Sequence, residues 1–439
     1  MPKQQAIVLG GSLAGLLAAK VLSQHYAQVT IIEKDTVHRQ PEARKGQPQT
    51  RHLHGLLPRG LQVMCKYFPG LLEELNSYGA KVVDFANSMN WFCYGAYRKS
   101  FCMGIKGAFV SRPLLEHIIR ERVLALPNVH LVDNITAKHF IATGDKHKIT
   151  GVVTEEKNTG QTQSHAAQLV IDTTGRGSQT PKWLQELGYG EISVSEVRVY
   201  VGYTTRMYQR DPGDQRGETW MVCTPQAPSE KRFGGAFPIE GNKWLVTVGG
   251  WHGDHAPTEN SGYLEFVKSL PNPNLYDIVS KSAPLSEFFQ YKFPLSVRRH
   301  YEKLHHFPKG FLVLGDAFSS FNPIYGQGMS AAALQAEVLD QLLQDKVPEK
   351  EFAKVFFKRS KKIVDTIWEL ATGEDFRYPQ TIGSRPPGIK LINKYVAHVH
   401  RATTKDEVVC GAFLKVISLL KPPASLFHPK ILWRVMSAK

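Results

Sequence analysis

Residues Gly10-Gly11-Ser12-Leu13-Ala14-Gly15 put small side chains at the spacing that lets a backbone turn sharply and approach a pyrophosphate closely. The usual fingerprint has glycine where Ser12 stands, and serine is still small enough for that approach. The segment lies between AIVL (6–9), which reads as a buried strand, and residues 13–23, which read as a helix. Amides at that helix start would face the phosphates. A second strand, VTII (29–32), ends at Glu33, 23 residues after Gly10, where a carboxylate can accept both hydroxyls of a ribose. Glu33 would repel a 2′-phosphate, which leaves FAD or NAD as the dinucleotide, with Lys34 beside it a further candidate for cofactor binding.

A second cluster lies far along the chain. FLVL (311–314) reads as a buried strand and runs into Gly315-Asp316-Ala317, then NPIYGQGM (322–329) and a small-residue helix over 330–343. The run LGDAFSSFNPIYGQGMS resembles the second flavin motif of the p-hydroxybenzoate hydroxylase-like FAD monooxygenases, G-D-A followed by P-x-x-G-x-G. The resemblance implies FAD, with Asp316 on the ribityl chain, Gly326 in the turn, and the amides of Gly328 and Met329 on the flavin pyrimidine. A helix start there is physically apt, because reducing a flavin places negative charge near its pyrimidine edge. The same resemblance gives Arg112, in FVSRPLLE (109–116), a place on the adenosine side of FAD; a solvated arginine at a helix start is the plain alternative. The strand LVID (169–172) opens into TTGRGS (173–178), where family members follow the aspartate with glycine or alanine and this chain has Thr173. Asp172 reads equally as a cofactor-handling residue and as the organiser of a turn. Electrons from NAD(P)H would then arrive directly or through a flavin reductase partner.

Within that superfamily, QTRHLHGLLPRG (49–60), FPGL (68–71), FPIEGN (237–242) and TGED (372–375) resemble the branch of bacterial polyether epoxidases of the monensin and lasalocid type. The implied reaction delivers one oxygen atom of O₂, from a flavin C4a-hydroperoxide, to an apolar small molecule. Alkene epoxidation or hydroxylation of a polyketide, terpenoid or aromatic compound is expected. A prenyl-chain reductase of the geranylgeranyl type and a flavin halogenase share the fold, although no W-x-W-x-I-P element of the halogenase kind is present. A non-enzymatic membrane-binding flavoprotein is the remaining rival. His52 and His54 have no third ligand at usable spacing, so no metal is expected.

The elements that must position these residues form an α/β architecture: a Rossmann-like FAD-binding domain, an inserted antiparallel β-sheet substrate domain and a C-terminal helical region. The expected FAD-binding segments are 1–80, 103–180 and 290–370. The substrate domain takes 81–102 and 181–289, where alternating runs such as VRVYVGYTTRMY (197–208) and a turn at Gly241-Asn242 predict antiparallel strands. Its aromatic residues supply the candidate substrate contacts Trp91, Tyr94, Trp220, Phe237 and Trp251, with alternation turning about half of all its aromatics away from any pocket. Residues 371–439 read as helices. In 385–439, ten Lys or Arg face only Asp406 and Glu407, so this region is either a cap on the FAD domain or a basic amphipathic element resting on anionic lipid.

Composition sets the outer limits. With 439 residues, 42% of them hydrophobic and 21% charged, the chain can bury a large core and is not a disordered polymer. Its net charge of +15 favours an anionic partner, but no zinc-finger spacing, RNA-recognition signature or long basic run points to nucleic acid. Five cysteines without a C-x-x-C pair argue for a reducing, cytoplasmic location. The absence of a uniformly apolar run of about 18 residues predicts a soluble or peripheral protein.

Overall fold

The computed structural model describes residues 3–438. Its organising element is a five-stranded parallel sheet in the order Phe311–Val313, Leu169–Asp172, Lys3–Leu9, Tyr26–Ile32 and Val129–Val132. Parallel strands are covered on both faces, which is why these segments are near-continuous apolar runs; Ala6, Ile7, Val8, Val170, Ile171, Leu312 and Val313 are all fully buried. The helices Leu13–Leu22, Arg112–Leu124 and Gly328–Gln344 contribute to the same core. A small antiparallel sheet, over Ile135–Ala142, Ile149–Glu156 and Thr162–Ala166, flanks it.

The second large layer is a nine-stranded, mostly antiparallel sheet. Its centre is the sixteen-residue strand Val194–Gln209, paired with Phe289–Arg299 on one side and Lys243–Gly250 on the other. Arg232–Ile239 and Trp220–Cys223 follow outward, and Met89–Cys93 pairs with Trp220–Cys223 in parallel. The hairpin at 240–242 is made by Gly241 (φ 71°) and Asn242 (φ 51°), residue types that adopt left-handed backbone most readily.

Three boundaries differ from the sequence expectation. Phe289–Arg299 belongs to the large antiparallel sheet rather than to the nucleotide-binding layer, because it supplies the backbone partners along one edge of the central strand from Val194 to Thr205. Lys81–Asp84 pairs with Lys106–Phe109 beside Gly55–Leu56, so only the later part of 81–102 joins the large sheet. The helix Glu349–Asp375 runs without a break across the expected boundary at 370. Beyond it, Ile389–Ala402, Glu407–Ile417 and Pro429–Ser437 form a helical layer.

Candidate active site

The strand-turn-helix at the front of the chain closes more tightly than its sequence requires. Gly10 has φ 101°, open to glycine at little cost, and a Cβ on Gly15 would stand 1.9 Å from the Gly10 carbonyl oxygen. Thr173 causes part of this crowding. Its hydroxyl lies 2.7 Å from the Leu9 carbonyl and 3.0 Å from that of Gly10, and a Cβ on Gly15 would be 2.9 Å from it. Thr173 thus ties the end of the strand Leu169–Asp172 to the turn that follows Lys3–Leu9.

Beside the turn lies a buried chain of charges. The Gly11 amide donates to Glu33 Oε2 at 2.7 Å, and the Asp35 amide donates to the other oxygen at 3.0 Å. Arg44 bridges Glu33 (3.1 Å) and Glu116 (2.6 Å); Glu116 also meets Arg112 at 3.2 Å and accepts from the Ser12 hydroxyl at 2.9 Å. Burial alone would raise the Glu116 carboxyl, but Arg112 and Arg44 reverse this and hold it below its usual value. Arg112 starts a helix whose first turn is capped by Ser111 Oγ, and its Nε is buried with no hydrogen-bond partner. Sequence reasoning missed Arg44 and Glu116. The four-residue step from Arg112 to Glu116 carries a signal, whereas Arg44 lies in a 33–47 connection with no periodicity to mark it.

On the other side, Gly315 (φ 71°) donates its amide to Gln335 on the following helix at 2.7 Å, fixing the turn that presents Asp316. Asp316 opens onto the interior cavity yet is enclosed by protein. Burial lifts its carboxyl above the ordinary range, against the pull of Arg176, Arg112 and Arg299. Gly326 (φ 68°) closes the short turn Pro323–Tyr325, and Gly328 begins the long helix with Met329 next to it. A Cβ on Gly328 would lie 3.9 Å from the Asp316 carboxylate, so this helix start and the acid face one space.

That space is one cavity of about 1420 Å³. Gly10, Ser12, Glu33, Lys34 and Arg112 line it from the front of the chain, and Asp316, Gly326, Gly328 and Met329 from the distant segment. Gly11 and Gly15 sit behind its wall as backbone spacers. Trp91, Tyr94, Trp220, Phe237 and Trp251 all line it too. Their three indole N–H groups are all paired within the protein: Trp91 to Thr224 (2.9 Å), Trp220 to the Phe85 carbonyl (3.2 Å) and Trp251 to Asp375 (3.1 Å). They therefore present apolar ring faces. Alternation along Arg232–Ile239 brings Phe233, Gly235 and Phe237 to the cavity, while Trp244 of the neighbouring strand packs in the core behind.

The polar groups of this chamber are few and mostly paired. The Tyr94 hydroxyl accepts from Arg377, whose other terminal nitrogen donates to Glu374 at 2.8 Å. His400 stacks on the Tyr94 ring and meets Glu374 at 3.1 Å. Burial lowers the pKa of both His400 and His54 to about 4, so each is neutral at physiological pH. His52 is buried, exchanges a hydrogen bond with Thr205 at 2.7 Å and is lowered to about 3. Among the described residues, no group of three or more His, Cys, Asp or Glu is placed to hold a metal ion. Asp172 is 1% exposed and accepts from the Thr174 amide and hydroxyl, Ser178 and Thr180. Of its two readings from sequence, organiser of the turn is the one this geometry supports.

The C-terminal helices close the cavity. Ile392, Val396, Val399 and His400 face it from one helix, Phe413 and Val416 from the next, and Leu426 and Phe427 from the connection after that.

No family model matches the chain. Protein Rv3254 of Mycobacterium tuberculosis is 30% identical over 442 residues, covering 95% of this chain and 90% of the relative. Kynurenine 3-monooxygenase of Cytophaga hutchinsonii is 23% identical over 99% of this chain and 94% of its own length. Among solved structures, a flavoprotein/dehydrogenase from Cytophaga hutchinsonii superposes with a TM-score of 0.72 at 16% identity, over 99% of this chain and 98% of that one.

Proposed function

The chain belongs to the family of Protein Rv3254 and carries the fold of the p-hydroxybenzoate hydroxylase-like flavoproteins, and from that premise we propose that it is an FAD-dependent monooxygenase. Its substrate is an apolar small molecule, and epoxidation of an alkene of the polyketide or terpenoid kind is the favoured reaction. The observation that carries this reading is the single cavity joining a dinucleotide-type turn to an aromatic chamber in which the indole N–H groups of Trp91, Trp220 and Trp251 are paired. A volume of about 1420 Å³ exceeds an ordinary one-ligand pocket, so cofactor and substrate can occupy it together.

The residues present fit FAD. Gly10 and Gly15 are packed too closely against Thr173 and each other to carry a side chain, so the turn keeps bare backbone at the cavity, and the buried, unpartnered Nε of Arg112 stands beside Ser12, where the fingerprint places a pyrophosphate. When bound, the flavin supplies the activation of O₂, with NAD(P)H as the source of electrons, directly or through a flavin reductase. The chain does the rest. Glu33 would accept ribose hydroxyls, Arg112 would balance the phosphates, and Asp316 would accept from the ribityl chain, with Arg44 holding Glu33 and Glu116 in place behind them. The amides of Gly328 and Met329 would stabilise negative charge at the pyrimidine edge. The aromatic walls and C-terminal helices orient the substrate and exclude water. His54 and His400, with pKa values near 4, are poor bases for deprotonating a phenol, which favours an electron-rich alkene.

The test is turnover under ¹⁸O₂ of a panel of polyenes, terpenoids and phenols, with NAD(P)H and with or without an added flavin reductase. One labelled oxygen in the product is expected. A saturated or halogenated product without label overturns the reading.

A further inference from the structure

The C-terminal helices carry a surface that the cavity does not use. The helix Ile389–Ala402 turns Ile392, Val396 and Val399 toward the cavity and leaves Leu391, Lys394 and His398 exposed. The helix Pro429–Ser437 packs on it and leaves Trp433 and Met436 exposed in the same way. Leu391 is 75% exposed, Trp433 68% and Met436 67%, values that no large apolar side chain in the rest of the described chain reaches. A tryptophan, a leucine and a methionine so exposed on two packed helices stand to gain from a drier environment.

Charge narrows what that environment is. Neither helix contains a carboxylate, while Lys390, Lys394 and Lys430 are exposed on them. The nearest acid in sequence, Asp406, is occupied by Arg434 at 2.7 Å and caps the helix Glu407–Ile417. Lysines beside exposed Trp, Leu and Met match an anionic lipid surface, where charge meets headgroups and the apolar side chains sink to the acyl boundary. Ile392 and Phe427 add a third observation, since both line the cavity and both are about two-fifths exposed, at 42% and 43%. This apolar part of the cavity wall adjoins the same surface, Ile392 next to Leu391 and Phe427 two residues before the helix Pro429–Ser437.

We propose that the helices Ile389–Ala402 and Pro429–Ser437 dock the protein peripherally on anionic membranes, with the cavity wall at Ile392 and Phe427 facing the lipid. No helix of the described residues is long and apolar enough to cross a bilayer, so the contact lies in the interface plane. The docking itself is independent of the oxygenase reading, which it extends by giving an apolar substrate a route from the lipid into the cavity.

Sedimentation of the full-length holoprotein with vesicles tests this without turnover, so its failure would leave the oxygenase reading standing. Binding is expected to vesicles of phosphatidylcholine with about a third phosphatidylglycerol, weakened by salt, and to be much lower with phosphatidylcholine alone. The variants Leu391→Ser/Trp433→Ser/Met436→Ser and Lys390→Gln/Lys394→Gln/Lys430→Gln should each lower partitioning on the order of tenfold or more while retaining flavin absorbance and Tm. In the parent protein, fluorescence should shift to the blue on vesicle addition, and Trp433→Phe should abolish most of that shift while binding persists. Three results would overturn the proposal: wild-type protein that stays in the supernatant, a triple serine variant that binds as tightly as wild type, or a self-associated form that shields Trp433 and excludes vesicles.

Discussion

Glu116 stands between two buried arginines, and its removal would leave both without their shared carboxylate. Breaking a buried pair from one side costs about 3–5 kcal/mol, so Glu116→Ala should lower the stability of the FAD-free protein by that order. Saturating FAD should recover part of the loss, because phosphates replace the missing anion; paired thermal melts with and without FAD measure this, and an equal deficit in both states would count against it. Asp375 gives a pH signature. It is buried, accepts from Trp251, Asn322 and Tyr325, and burial lifts its carboxyl to about 6. A folded value above the unfolded one near 4 means that its stabilising contribution is complete below about pH 4 and is lost as pH rises through 6. Asp375→Asn keeps the accepting oxygen, so it should match wild type near pH 4 and exceed it at pH 8 by roughly 3 kcal/mol. Denaturant unfolding at the two pH values would contradict this if the difference did not change.

At the scale of elements, the strand-turn-helix at the front and the strand-turn-helix beyond residue 310 were readable because each couples a short apolar run to small residues at fixed spacing. Gly15→Val tests the first: its branched side chain would collide with Gly10 and Thr173, separating strand from helix, and flavin retention should be lost along with several degrees of Tm. A purified variant with full flavin content would contradict that. The C-terminal helices were readable only in part. Their apolar periodicity says that one face of each is buried, but periodicity does not name the surface it is buried against, and that surface is the cavity itself. Phe413 shows the consequence. It is 7% exposed, touches Trp91 and the His400 ring, and carries the Arg98 guanidinium over its face at 4.3 Å. Phe413→Ala should cost about 3 kcal/mol and admit water, read as more hydrogen peroxide released per NAD(P)H consumed. Unchanged coupling would mean that this helix does not seal the reaction space.

Over the whole molecule, the parallel layer was legible from uniform burial and the antiparallel layer from alternation, while the assignment of Phe289–Arg299 between them was not, because its partner strand lies eighty residues earlier. The aromatic chamber was legible as composition; that the five chosen aromatic residues converge on one space depends on a register that only folding sets. Arg44 escaped notice for a similar reason, since a loop residue reaches its two carboxylates through tertiary placement alone. What unites the two layers is a single cavity shared by segments some three hundred residues apart, and flavin titration tests it most directly. Apoprotein should bind one FAD per chain with a perturbed visible spectrum, and Asp316→Ala, at unchanged apoprotein Tm, should weaken that affinity by about tenfold or more. A protein that takes up no FAD, or an Asp316→Ala variant that binds it as wild type does, would contradict the shared site.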